Sequence, residues 1–256
     1  MKLTILTIVI ILPIFVSKAN AIVNMDNLHL NANNSGVSGN FNLNSSGAYG
    51  NSEQFLVESS ADFYYKQSQS LQYLTLSYSY GESFSKENQN KSYAHLRHIN
   101  NVDSSSTWEI FSQIEQNKFS RLNFRGLVGA GYRWKFLKDS PNSSSVFGVG
   151  AYYSEEYLTH SNVINEKRNL ELLRGNIYWI FRTDILENIT LFNTTYYQPN
   201  LKNPDDYRIL EIAGIKIPLS KNLNLNLYGE GTFDSKPPIN VKKADLSYKT
   251  GVEYKF

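Results

Sequence analysis

The 256-residue chain has no cysteine, which excludes disulfides and thiolate metal sites. Histidine is almost as scarce, with only His29, His95, His98 and His160. His95 and His98 lie an odd number of positions apart, so on one strand they face opposite sides and cannot share a metal ion. Around His160-Ser161 no set of nucleophile, base and orienting group can be named, as a barrel-wall lipid hydrolase would need. No catalytic residue, metal or cofactor is therefore expected. Charge of one sign is missing as well: 25 basic residues stand against 23 acidic ones, and no basic block marks a nucleic-acid surface. Mean hydropathy is −0.39. Beyond the first residues no apolar run approaches the roughly 20 residues of a membrane helix. No window shows the 3.6-residue period of an amphipathic helix clearly.

The one long apolar run is N-terminal, in MKLTILTIVIILPIFVSKANA. Lys2 gives a short positive start, residues 3–16 are mostly apolar, and Ala19-Asn20-Ala21 has the small-x-small form of a cleavage site. A signal peptide over residues 1–21, cleaved after Ala21, is expected, with residues 22–256 as one structural unit. Cleavage would remove Lys2 and Lys18 and leave a chain of no formal net charge.

What fills the rest is alternation. Leu223, Leu225 and Leu227 oppose Asn222, Asn224 and Asn226; Trp108, Ile110 and Ile114 oppose Glu109, Gln113 and Glu115. Successive strand side chains point to opposite faces, so each such run is a ribbon with one oily and one wet face. Breaks rich in Asn, Ser, Gly, Asp and Pro separate the runs. Strands are expected near 27–41, 54–65, 71–80, 91–100, 107–116, 120–136, 146–154, 168–182, 188–198, 207–218, 222–233 and 244–256. Long connections after odd strands and short ones after even strands would match the build of bacterial outer-membrane barrels. The 5–6 connection is the exception, since only residues 117–119 join those strands. Eighteen tyrosines, common near strand ends, suit the two membrane interfaces.

The reading is an all-β chain: one up-and-down transmembrane β-barrel of about twelve antiparallel strands. A soluble β-sandwich or a lipocalin-like barrel is the rival, because every half-buried sheet alternates. With apolar residues outward, the lumen receives Glu109, Glu115, Arg125, Arg133, Arg174 and Arg182, joined by Gln113, Lys135, Lys216, Lys249 and Glu253. Glu115 is expected nearly opposite Arg121 across the short hairpin. These charges either neutralise one another in a filled barrel or line a narrow selective pore. Glu211 shares parity with Ile215 and Ile217, so it is expected at the headgroup rim if the register holds. Gly126-Leu-Val-Gly129-Ala-Gly131 lacks the helix that a phosphate loop needs, and reads as strand glycines that allow close packing.

The last residues, Lys249-Thr-Gly251-Val-Glu-Tyr254-Lys-Phe256, resemble the C-terminal recognition signal of outer-membrane barrels. That resemblance implies that Lys249, Gly251, Tyr254 and Phe256 are read by the barrel-assembly machinery through strand-edge pairing. Residues 116–133, the early Gly36-x-x-Gly39-Asn40 and the final Gly251 to Phe256 resemble, in order, the DUF481 family, described as salt-induced outer-membrane proteins. The resemblance implies a bacterial outer-membrane location among lipid and lipopolysaccharide. It implies a non-enzymatic envelope role tied to salt or osmotic stress. A narrow diffusion channel for ions or small solutes is the alternative, and a lipid-modifying enzyme ranks last.

Overall fold

The computed structural model describes residues 35–50, 53–100, 104–137, 142–160, 166–186 and 189–256. The expected signal segment and the first part of the expected strand one lie outside them. Twelve strands follow in chain order: β1 (Gly36–Ala48), β2 (Gln54–Gln67), β3 (Ser70–Ser83), β4 (Lys86–Ile99), β5 (Ser106–Asn117), β6 (Leu122–Phe136), β7 (Ser143–Leu158), β8 (Asn169–Leu186), β9 (Ile189–Asn200), β10 (Asn203–Pro218), β11 (Leu223–Asp234) and β12 (Ala244–Lys255). Each pairs antiparallel with its chain neighbours, and β1 pairs with β12, so the sheet closes as an up-and-down barrel. With an even strand count, β1 begins and β12 ends on the same rim, here called the terminal rim.

Alternation sorts the faces as expected. Trp108, Ile110 and Ile114 are exposed on the outer wall, while Glu109, Gln113 and Glu115 are buried inside. The outer wall also carries Phe41, Phe63, Leu76, Tyr132, Trp134, Trp179 and Val252. Such a belt is inverted relative to a soluble domain, and hydrocarbon is the solvent that suits it.

Three expectations change. The first strand runs through Ala48 rather than stopping at 41, because pairing with β2 continues to Ala48 and Gln54. Long connections do not follow every odd strand. The expected long loops at 81–90 and 198–206 shrink to turns of two residues, because β3–β4 and β9–β10 keep pairing outward. Phe84 and Ser85 both take left-handed φ, 49° and 56°, which matches the twist of a tight hairpin. On the rim opposite the termini, the β7–β8 and β11–β12 connections, 159–168 and 235–243, remain long.

Glu211 keeps its outward register but not its expected place at the headgroup rim. It sits mid-strand, with Ile209 toward one rim and Ile215 toward the other. Asn193 and Thr195 of the adjacent strand both donate to its carboxylate, the latter at 2.5 Å, which replaces water at that point.

The barrel closes through the two motif ends. Gly39 and Phe256 exchange backbone hydrogen bonds of 3.0 Å in both directions. A Cβ on Gly39 would lie 2.7 Å from the carbonyl oxygen of Asp62 and 2.5 Å from the Phe256 ring, so only glycine admits that ring. The ring also meets Phe63 edge-on at 6.3 Å. Gly251 faces inward beneath the Asn44 side chain, which occupies the space a Cβ would need.

Candidate functional site: the filled lumen and its vestibule

Interior side chains of a barrel this size decide whether it conducts. Near the terminal rim, Arg97 donates to Glu109 at 3.0 Å, and Arg133 lies 3.6 Å from the same carboxylate. Tyr178, three strands away on β8, donates its hydroxyl to Glu109 at 2.8 Å. Arg97 also stands over the rings of Phe111, Tyr73 and Tyr178, at 4.8, 6.0 and 6.0 Å. Two glycines make room for this. A Cβ on Gly129 would come 2.5 Å from the Phe111 ring, and one on Gly148 would come 2.1 Å from that of Tyr178. Gly129 of β6 and Gly148 of β7 therefore act as packing positions. His95 is buried beside this group and bonded to Arg97, whereas His98 lies on the outer wall against Trp108.

An apolar and aromatic cluster crosses the lumen alongside. Tyr64, Leu71, Tyr73 and Ile99 from β2–β4 pack with Val146, Tyr178, Ile180, Tyr196, Leu210 and Ile212 from β7–β10. Leu210 and Ile212 face inward because they share parity with Arg208 and Lys216.

A second ion-pair chain fills the other half. Arg125 bridges Glu115 at 2.9 Å and Glu156 at 3.0 Å. Arg208 returns to Glu156 with bonds of 2.7 and 3.0 Å and reaches Asp234 at 2.9 Å. Arg174 pairs with Asp206 at 2.7 Å. Lys216 and Glu253 pair at 2.9 Å nearer the terminal rim.

Five of the six charges expected in the lumen, Glu109, Glu115, Arg125, Arg133 and Arg174, are at most 3% exposed there. Arg182 shares the inward parity of Tyr178 and Ile180 but lies toward the terminal rim, partly exposed, 3.7 Å from Asp184. The expected Glu115–Arg121 opposition is replaced by a Glu115–Arg125 register pair. The turn at Lys118–Ser120 is a 3-10 helix, and a register shift precedes it, so Arg121 becomes a left-handed cap with φ 57°.

Arg121 works elsewhere. It holds Glu166 at 2.6 and 2.8 Å and donates to the carbonyls of Thr159 and Ile239, both at 2.7 Å. The Glu166 carboxylate raises the guanidinium pKa further. Ile239 belongs to the 235–243 loop, which leaves the barrel on the far side, so Arg121 straps that loop across the mouth.

Beside the strap lies a cavity of about 360 Å³. Its charged lining includes Glu58, Glu230, Lys91 and Lys249. Lys249 bridges Glu58 at 3.2 Å and Glu230 at 2.9 Å. The other end-motif residues lie as follows: Gly251 under Asn44, Tyr254 outward opposite Phe41, and Phe256 on Gly39.

Sequence reasoning missed Arg97, Glu156 and Arg208. Parity alone could have found Arg97, which alternates with the outward Leu96 and His98. Glu156 was hidden because the outward Glu155 beside it made the segment look like a loop.

The family described as "Protein of unknown function, DUF481" matches residues 42–256. Among curated proteins none matches the chain in sequence. In fold, the barrel is similar to the NanC porin, with TM-score 0.53 at 11% identity, covering 86% of this chain and 100% of that one. It is also similar to the translocator domain of autotransporter NalP from Neisseria meningitidis, with TM-score 0.51 at 11% identity, covering 90% and 92%.

Proposed function

Because the chain belongs to the DUF481 family and folds as a closed barrel with an apolar outer wall, we propose that it is a non-enzymatic bacterial outer-membrane protein with a shut lumen. The terminal rim faces the periplasm and the vestibule faces outward. Outer-membrane lipid and lipopolysaccharide surround the wall. Residues 1–21 direct export, and the barrel-assembly machinery reads Lys249, Gly251, Tyr254 and Phe256.

One observation carries the shut state: Glu109 of β5 bonds Tyr178 of β8 at 2.8 Å inside a cluster that spans the lumen. A conducting pore needs charges left facing water, whereas these carboxylates and guanidiniums are buried and paired with one another. The same mutual pairing supports the non-enzymatic reading, since among the described lumen charges acids and bases are paired with one another.

Conductance of the refolded protein in planar bilayers tests this. The wild type is expected to stay silent, and Tyr178→Ala with Tyr196→Ala to pass current. Steady unitary steps from the wild type would overturn the shut state in favour of the narrow channel. The tie to salt or osmotic stress comes from the resemblance, and a deletion strain that grows normally at high salt would remove it.

A further inference from the structure

The ladder between β1 and β12 stops at the Asn44–Gly251 pair. Residues 45–48 still pair with β2, and residues 244–250 still pair with β11, but no rungs join the two sets. At about 3.3 Å per residue the gap is about 13 Å long. In hydrocarbon, strand edges without partners are costly, because no water reaches their N–H and C=O groups. Here the seam is held by a side chain instead: Lys249 passes behind β1 to Glu58 of β2 while keeping Glu230 of β11.

The cavity lies directly behind this gap. Its lining includes Leu246 and Tyr248, which carry outward side chains beside the gap, so it reaches the wall there. A Cβ on Gly47, at the gap's other edge, would meet nothing across the seam within 4 Å; its nearest neighbour would be the Gln54 carbonyl oxygen of β2 at 3.6 Å. From above, access is narrowed by the strapped 235–243 loop.

The chemistry inside is hydroxylated and amide-rich, with Ser60, Ser77, Ser79 and Gln89 beside the Tyr93 and Tyr228 rings. Lys249 is committed to two carboxylates and Lys91 stands over the Tyr93 ring at 5.9 Å, so the cations of the lining are set against carboxylates and an aromatic ring rather than toward a phosphate. A volume of about 360 Å³ lies within the range of small-ligand sites.

We infer that the seam is a lateral portal, through which the vestibule takes the uncharged, hydroxyl-rich headgroup of a membrane amphiphile whose tail stays in the bilayer. This rests on the outer-membrane reading above. The headgroup exchanges hydrogen bonds with the serine and amide lining and stacks on the tyrosines. The tail leaves between Gly47 and Tyr248 into hydrocarbon. The free sugar has the same polar chemistry without the tail, so it must bind more weakly.

The test uses full-length mature protein in phosphatidylcholine vesicles. Radiolabelled dodecyl maltoside, below its micelle concentration, is measured against protein-free vesicles, with maltose as competitor. Saturable binding is expected in the wild type and in Gly47→Ala. Gly47→Trp, which fills the gap from the wall edge, is expected to weaken it at least about tenfold. Maltose is expected to compete only at far higher concentration. Unchanged binding in Gly47→Trp would overturn the portal, and so would maltose competing as well as the amphiphile. Heat-modifiable migration reports separately that each barrel is folded. A folded barrel with no saturable binding would end this inference and leave the outer-membrane reading standing.

Discussion

The β7–β8 wall and the β1–β12 seam are built from the same alternating ribbons, yet they are held by different means. The wall has fifteen register pairs, from Ser143–Thr183 to Tyr157–Asn169. The seam has five, plus the rung from Gly39 to Phe256. On the wall, backbone pairing runs the full strand, and the interior adds Glu156 between two arginines. At the seam, backbone pairing covers only the terminal half, and Lys249 spans the rest. Closure of a barrel therefore need not be uniform: the wall is paired along its whole length, whereas the seam is paired in its terminal half and latched by Lys249 beyond it.

The largest effect is expected on the wall side. Glu156→Gln leaves Arg125 and Arg208 buried without their shared anion, a loss of about 3–5 kcal/mol. The urea midpoint of the refolded protein measures it, and adding Arg208→Leu is expected to recover part. At the seam, Gly39→Val pushes against the Asp62 carbonyl and displaces the Phe256 ring, for about 1–3 kcal/mol. Hydrogen exchange should then quicken at the terminal ends of β1 and β12 while β7 and β8 stay protected. Uniform quickening would erase the contrast between the two regions.

Smaller changes sharpen it outside both regions. Ser85→Gly relieves a left-handed serine and is expected to stabilise by about 1 kcal/mol, read from the same urea titration. Glu211→Leu removes a charge from the outer wall but leaves Asn193 and Thr195 without their acceptor, so the net change is expected within about 1 kcal/mol. A large loss there would mean that the carboxylate anchors the wall rather than merely being tolerated by it.

Much of this was legible in the residues. Periodicity of two, an even count of runs and turn-forming breaks were enough to count twelve strands and to place all but the first, because side-chain parity is a local property of extended backbone. The same parity turned Glu109, Arg125, Arg133 and Arg174 inward. Strand ends were less legible: β7 continues through Glu155 and Glu156 because Arg125 and Arg208 wait across the lumen, and nothing near residue 156 announces them. Arg121 likewise looked like a partner for Glu115 until the 3-10 turn rotated it toward Glu166.

By itself, then, the order of residues determined which face of each ribbon is oily and how many ribbons there are. Alternation needs no partner to be expressed. Only the closed structure decided which charges meet, that tyrosines from opposite walls join one cluster, and that the seam stays unpaired beyond Asn44. Those depend on strand stagger and barrel circumference, quantities set by all twelve strands together and written in no single one.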